Sequence, residues 1–343
     1  MAAGSGQSAT PGAGSAKAGS KRTIYTALAG NLLIAITKFA AAWYTGSSAM
    51  LSEGVHSLVD TSNEILLLHG IRRSTLPPDA VHPMGHGREL YFWSFVVAVL
   101  VFALGAGVSF YEGVSHVLNP EPATNLTVSY VVLAASAVFE GYSWWVALVE
   151  FRRRKGGLGY LEAVRASKDP TSFTVLLEDS AALLGIAIAV IGILAADLLD
   201  MPALDGVASI GIALVLAVTA TLLARESMGL LIGERASPAL QAAVLAVANG
   251  DPAIRRANGV ITVHLAPDQV VVALSAEFED HVATPDIEAC IERLERHLNR
   301  THPEISALFV KPQTPDAWRR QISPAGGTEK AGRDGGYEPA GVD

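Results

Sequence analysis

Long apolar stretches separated by short polar links fill the first two thirds of the chain. Each stretch reaches the roughly 20 residues that an α-helix needs to cross a hydrocarbon core about 30 Å thick. The pattern predicts six membrane-spanning helices, near residues 24–44, 48–71, 90–117, 127–151, 172–197 and 204–224. We therefore expect a polytopic α-helical membrane protein.

The pattern changes after the sixth stretch. Residues 238–249 and 287–298 carry apolar side chains at helical spacing, and residues 260–265, 270–278 and 307–310 are rich in the residue types that strands favour. The order helix, strand, strand, helix, strand predicts a small α+β domain. Because small domains bury little apolar surface, we expect this domain to dimerise.

Composition separates these two domains from two tails. Glycine, alanine and serine dominate the start of the chain, and the end is rich in glycine, proline and charge, so neither tail can bury a core. We predict a disordered N-terminal tail at 1–22, a transmembrane domain at 23–226, a cytoplasmic α+β dimerisation domain at 236–313 and a disordered C-terminal tail at 314–343.

Charge and hydropathy narrow the class of protein further. Half of the 343 residues are hydrophobic, 17% are charged and the mean hydropathy is +0.35, as is typical of a membrane protein. The formal net charge is −8, and no compact basic face is evident outside the membrane links, so we expect no nucleic-acid partner. The single cysteine, Cys290, excludes a disulfide within one chain.

Lysine and arginine are confined to alternate links, which predicts the orientation in the membrane. The links at 45–48, 119–125 and 197–205 contain neither residue. The other side carries Lys17, Lys21, Arg22, Arg72, Arg73, Arg88, Arg152, Arg153, Arg154, Lys155, Arg165 and Lys168. We expect both termini to be cytoplasmic, and the alanine- and glycine-rich ends suggest a bacterial cell membrane.

Ionisable residues within the predicted spans are the candidates for chemistry, because each costs roughly 2.5–3.5 kcal/mol on insertion scales. His56 and Asp60 are four residues apart, hence on one helix face, and Glu178 and Asp179 lie in the fifth span. Imidazole and carboxylate groups suit Zn²⁺, Co²⁺ or Fe²⁺. The alternative is that these side chains only hydrogen-bond between helices.

Glu178 and Asp179 are neighbours, so their side chains diverge by about 100° and cannot both point directly at one ion. Asp179 is the better candidate for a direct ligand, and Glu178 flanks it. Lys38 and Glu140 are further intramembrane charges, and helix packing and a water path both remain open as their roles.

A second group of candidate ligands follows the second span. Asp79, His82 and His86 place a carboxylate and two imidazoles within eight residues. These residue types can hold a metal ion, although loops of this composition are often simply solvated. The group is therefore a possible second metal site.

Four motifs, in this order along the chain, resemble those of the cation diffusion facilitator family of metal transporters. They are Thr45-Gly46-Ser47-Ser48-Ala49, the run from Glu53 to Asp60, the run from His82 to Arg88, and Asp205-Gly206-Val207-Ala208-Ser209. Residues 167–170 and 175–180 are similar to the branch that contains the animal mitochondrial zinc exporter.

The resemblance implies a homodimer that exports divalent metal from the cytoplasm in exchange for protons, by alternating access. Zn²⁺ is the first expectation for the cargo, with Mn²⁺, Co²⁺ and Fe²⁺ as further candidates, and no enzymatic activity or resident cofactor is implied. The implied transport ligands are His56, Asp60 and Asp179, and the implied second site is Asp79, His82 and His86. The implied cytoplasmic domain is ferredoxin-like, similar to a copper chaperone.

One position departs from the family pattern. A histidine or aspartate is common four residues before Asp179, where this chain has Val175. Glu178 or water is expected to complete the shell around the ion. The gap also keeps a non-transporting sensor or scaffold open as an alternative, and an intramembrane metalloenzyme with an open coordination position is a third possibility.

Overall fold

The computed structural model describes residues 13–323, which form two compact units. The helical unit comprises the described residues up to Arg72 together with Trp93–Glu226. The sheet unit comprises Arg73–Phe92 together with the described residues from Ser227 onward.

In the described part of the chain, eight α-helices lie between Ala13 and Ile232. They are α1 (Ala13–Thr45), α2 (Ser48–Ser74), α3 (Glu89–Leu100), α4 (Gly107–Leu118), α5 (Leu126–Lys155), α6 (Tyr160–Ala166), α7 (Pro170–Leu198) and α8 (Ala203–Ile232). A π-helical turn, Val101–Ala106, joins α3 to α4 without a break.

The predicted N-terminal tail at 1–22 requires a correction, because α1 already begins at Ala13. Alanine and lysine are strong helix formers, and no proline lies between Ala13 and the predicted span, so the helix can start early despite Gly14 and Gly19. Residues 1–12 lie outside the described part of the chain.

Among the described residues, four helical runs are long and apolar enough to cross a membrane: Glu89–Leu118, Leu126–Arg153, Phe173–Leu198 and Ala203–Ile232. The first of these includes the π-helical turn. Helix α2 does not reach the same apolarity because its buried face carries Glu53, His56 and Asn63 together with several serines. A helix of this kind hides its polar residues from lipid by packing them against other helices.

Glycine and a capping aspartate fix two helix contacts in the helical unit. A Cβ at Gly113 would lie 2.8 Å from the carbonyl oxygen of Gly206, so α4 and α8 meet backbone to backbone. Asp205, at the start of α8, accepts hydrogen bonds from Ser47 Oγ at 2.9 Å and from the Ser48 N–H at 2.5 Å. This carboxylate satisfies free N–H groups at the start of α2.

The sheet unit contains a three-stranded sheet of β1 (Ile254–Ala266), β2 (Gln269–Phe278) and β3 (Ile305–Pro312), in the order β1-β2-β3. Strands β1 and β2 are antiparallel, and β2 and β3 are parallel. Helices α9 (Pro238–Asn249) and α10 (Thr284–Thr301) supply buried side chains to the core on one face of the sheet. The predicted order of helices and strands is confirmed.

The predicted C-terminal tail at 314–343 also requires a correction, because helix α11 occupies Pro315–Ile322. Thr314 caps this helix by accepting a hydrogen bond from the Ala317 N–H, and proline fits its first turn. Trp318 is buried against Gly259 of β1, where the absence of a Cβ makes room for the ring. This apolar contact keeps the short helix on the sheet.

Candidate functional site

His56 and Asp60 lie one turn apart on α2, as their spacing predicts. His56 Nε2 is 3.3 Å from Asp60 Oδ2, and the His56 side chain is buried. His56 Nδ1 and Asp60 Oδ1 are also shielded from solvent, and neither has a hydrogen-bond partner. Buried polar atoms without partners are unfavourable, so this pair has unused capacity to bind an ion or a proton.

A cavity of about 40 Å³ lies beside Asp60, between α1, α2, α5 and α7. It is lined by Asn31, Ser57, Asp60, Glu64, Leu67, Glu140, Ser143, Val175, Glu178 and Asp179. Five of these side chains are carboxylates. Because a buried water needs about 10–15 Å³ by the same kind of measure, the cavity has room for an ion with a small number of waters.

Asp179 and Glu178 both reach the cavity, and different helices hold them. Ser143 Oγ on α5 donates to Asp179 Oδ2 at 2.8 Å, and Asn63 Nδ2 on α2 donates to Glu178 Oε1 at 2.7 Å. These hydrogen bonds direct the two neighbouring carboxylates toward different partners, as their divergence on the helix predicts. Ser143 and Asn63 were not identified from the sequence.

The candidate ligand atoms of this site are too far apart for three of them to contact one ion directly. Among the described residues, His56, Asp60, Glu178 and Asp179 do not supply three ligand atoms within 4.8 Å of one another. Val175 lines the cavity and contributes only an apolar side chain. An ion bound here therefore needs side chains to move toward it or water to complete its shell.

A buried ion pair contacts Ser57, one of the residues that line the cavity. Lys38 Nζ on α1 lies 3.0 Å from Glu53 Oε2 and 2.8 Å from Ser57 Oγ, and both charged side chains are almost completely buried. A Cβ at Gly185 of α7 would collide with Glu53 Oε1, so this glycine makes room for the pair. Of the two roles open for Lys38, this contact favours helix packing, and the sequence did not indicate Glu53 as its partner.

The loop residues Asp79, His82 and His86 do come together, within the sheet unit. One ligand atom from each lies within 4.8 Å of the other two. His86 Nε2 is 3.1 Å from Asp79 Oδ2, and His82 Nδ1 is 3.3 Å from Asp79 Oδ1. Asp79 and His82 are exposed and His86 is buried, so an ion can reach the group from solvent. The donor set fits a divalent metal such as Zn²⁺.

Two residues behind the loop orient His86. Its Nδ1 is 2.8 Å from Glu89 Oε1, which leaves Nε2 directed toward Asp79. Arg73 holds Glu89 with two hydrogen bonds, of 2.8 Å from Nε and 2.9 Å from Nη2. A carboxylate behind a ligating histidine fixes the ring and raises its basicity. Glu89 and Arg73 were not predicted from the sequence as part of this group.

The same contacts set the protonation of the loop. The His82 backbone N–H and the His86 side chain lower the pKa of Asp79 to about 2, so this carboxylate is ionised at neutral pH. Hydrogen bonds to Glu89 and then to Asp79 raise the pKa of His86 above its usual value. Protons therefore compete with metal for His86 Nε2 at a higher pH than for an ordinary histidine.

We expect Zn²⁺ binding at the loop to weaken as the pH falls through the raised pKa of His86. Glu89→Gln removes the first cause of that shift, so the midpoint of the pH dependence should move to lower pH. Loss of the orienting carboxylate should also weaken binding about 10–100-fold at high pH. Calorimetric titration between pH 5.5 and 8, with Asp179→Asn in the background to silence the membrane cavity, measures both effects.

His86→Ala is the matched control for this titration, since it should remove binding at every pH. An unchanged midpoint in the Glu89→Gln variant would show that Glu89 does not act through His86.

Comparison with known proteins identifies the family of this chain. The family profile for the cation efflux transmembrane domain matches residues 24–232. The chain is 34% identical to the human mitochondrial proton-coupled zinc antiporter SLC30A9 over 268 residues, which are 78% of this chain and 47% of that protein.

Two further relatives come from a plant and a bacterium. Metal tolerance protein C4 of Arabidopsis thaliana is 34% identical over 216 residues, which are 62% of this chain and 47% of the relative. The cation-efflux pump FieF of Klebsiella pneumoniae is 26% identical over 279 residues, 81% of this chain and 87% of the pump. The chain spans about half the length of the animal and plant relatives. Because the family profile covers more than half of the chain, the protein belongs to the cation diffusion facilitator family and resembles the SLC30A9 zinc antiporters.

Proposed function

We propose that this protein exports a divalent metal cation, Zn²⁺ in the first place, in exchange for protons. The observation that carries the proposal is the cavity in the helical unit, where five carboxylates line a space large enough for one ion. Negative charge inside a membrane protein needs a compensating cation or protons. The names of the human and bacterial relatives, a proton-coupled zinc antiporter and a cation-efflux pump, support the same direction.

In this mechanism, His56 and Asp60 of α2 and Asp179 of α7 hold the ion while the cavity faces the cytoplasm. A side chain must be deprotonated to bind metal, so protons compete with the ion for these ligands. When α2 and α7 move to open the cavity to the other side, protonation of His56 releases the ion. The protonated carrier then returns, which couples the two fluxes by alternating access.

We also propose that α1 and α2 span the membrane with the four apolar helical runs, giving six spans. Both helices expose apolar side chains, including Leu33 and Trp43 on α1 and Leu58 and Ile65 on α2, as lipid-facing helices do. The basic residues of alternate links favour cytoplasmic termini. A bacterial cell membrane remains our prediction for the location.

The proposed assembly is a homodimer in which the ferredoxin-like domain contributes an interface. Helices α9 and α10 supply the core on one face of the sheet. On the other face, Ile261, Ala273 and Phe309 are neighbours in register on the three strands, and all three are exposed. An exposed apolar patch on a small domain is typical of an interaction surface.

Transport by the purified protein in proteoliposomes tests the proposal. Added Zn²⁺ should drive proton movement in the opposite direction, reported by an entrapped pH-sensitive dye. A protonophore that collapses an imposed pH gradient should reduce Zn²⁺ accumulation to the level of empty vesicles. Zn²⁺ accumulation that does not respond to the gradient would rule out proton exchange.

A metal sensor or scaffold is the second candidate, and the ungathered ligand atoms beside Val175 favour it. Such a protein would bind Zn²⁺ with no associated proton flux, so the same vesicles distinguish the two. The metalloenzyme alternative is excluded, because members of this family are transporters.

A further inference from the structure

Glu140 is an intramembrane carboxylate that is not among the three implied transport ligands, and it has no assigned role. It lies on α5 and lines the same cavity as Asp60, Val175 and Asp179. Ser143 follows one helical turn later and donates to Asp179, which fixes this face of α5 toward α7. Glu140 therefore lies on a third helix, one that contributes none of the predicted ligands.

The neighbouring carboxylates already have hydrogen-bond partners. Glu178 accepts from Asn63, and Glu64 accepts from Asn31 Nδ2 at 2.6 Å. In the part of the chain that the structure describes, no hydrogen bond or ion pair is assigned to Glu140. It nevertheless lines the same small cavity as Asp60 and Asp179.

The buried cation Lys38 is not one of the residues that line the cavity. Lys38 is already bound to Glu53 and Ser57, and it reaches the cavity only through Ser57. Asp60, Asp179 and Glu140 thus place three carboxyl groups around one cavity, where negative charge needs a cation or protons for balance. A divalent cation in the cavity would supply the missing positive charge.

We propose that Glu140 provides the oxygen ligand that Val175 does not, so that the cargo ion is held from α2, α5 and α7. This inference rests on the proposed transport function. The complete set is His56, Asp60, Glu140 and Asp179. Glu178 is less suited, because it diverges from Asp179 on α7 and is held by Asn63 on α2.

The family pattern often has a histidine at the position of Val175. A carboxylate from α5 in its place changes the chemistry of the site. Three carboxylates and one imidazole form a harder, oxygen-rich donor set, which suits Mn²⁺ better than a nitrogen-rich set does. The ligand atoms lie too far apart to contact one ion without movement or water. The flexible Glu140 side chain can contact a partly hydrated ion through a water molecule. The site should therefore accept Mn²⁺ beside Zn²⁺.

The test compares wild type with Glu140→Gln in proteoliposomes, using Zn²⁺ and Mn²⁺ as separate cargo. The variant should raise the KM for Mn²⁺ about tenfold or more and raise that for Zn²⁺ less. The visible absorption of bound Co²⁺ should change as well, because that spectrum reports the coordination of the metal. Glu150→Gln on the same helix, outside the cavity lining, should match wild type.

Val175→Asp in the Glu140→Gln background is the rescue variant, since it restores a carboxylate to the cavity wall. It should recover Mn²⁺ transport and separate loss of a ligand from loss of folding. Wild-type KM values and an unchanged Co²⁺ spectrum in Glu140→Gln would overturn the role of Glu140. If Asp179→Asn were inactive in the same assay, the proposed transport function would still stand. Full transport by Asp179→Asn would instead contradict the proposed function itself.

Discussion

Asp179→Asn should reduce metal-driven proton flux at least about a hundredfold. The substitution keeps the shape of the side chain and an oxygen that can still accept from Ser143 Oγ, so the contact between α5 and α7 survives. It removes the negative charge that faces the cargo ion in a poorly solvated cavity. Loss of one partner of a buried charge pair costs about 3–5 kcal/mol, and about 3 kcal/mol already corresponds to a hundredfold change.

Ser143→Ala is the matched control for this prediction. It leaves the carboxylate in place and removes only its hydrogen bond, so its effect should be smaller, at about tenfold or less. Flux is measured with the entrapped dye at several Zn²⁺ concentrations, and size-exclusion profiles confirm that each variant is folded. If Asp179→Asn transported as well as Ser143→Ala, Asp179 would not be a ligand of the cargo.

The location of the site could be predicted from the sequence because the bilayer makes intramembrane charges rare and informative. His56 and Asp60 followed from their helical spacing, and Asp179 from its place in an apolar run. In the structure, Asp60 and Asp179 line one cavity, and their role as ligands stays a prediction. The way in which Glu178 is held by Asn63 depends on the rotation of α2 against α7, which periodicity along one helix does not specify.

Other contacts between helices could not be predicted for the same reason, because they depend on how the helices pack. Glu53 and Lys38 are distant in sequence, and their pairing became evident only from the packing of α1 on α2. The sheet unit was predicted in detail because its helices are amphipathic and its strands are β-branched. Helix α11 was missed because a single buried side chain, Trp318, secures it against Gly259 within a proline- and charge-rich segment.

Lys38→Met should destabilise the folded protein by about 3–5 kcal/mol, because it leaves the Glu53 carboxylate buried without its cation. Methionine has a similar length, so packing between α1 and α2 changes little and the loss reports the charge. Glu53→Gln should be destabilising as well, since it leaves the Lys38 ammonium buried and held only by Ser57. Reversible unfolding in mixed micelles with increasing SDS measures both losses.

The double variant Lys38→Met with Glu53→Met decides whether the two charges act as a pair. Replacing a buried ion pair by apolar side chains is often neutral or stabilising, so the double variant should be more stable than either single one. Its free energy of unfolding should return to within about 1 kcal/mol of wild type, which gives a large coupling energy in the double-mutant cycle. Losses that simply add would show that Lys38 and Glu53 stabilise the helical unit independently. Ser57 joins Lys38 to the cavity wall, so the double variant also tests whether the pair affects the cavity. Zn²⁺ binding at the wild-type level would show that the pair serves stability alone.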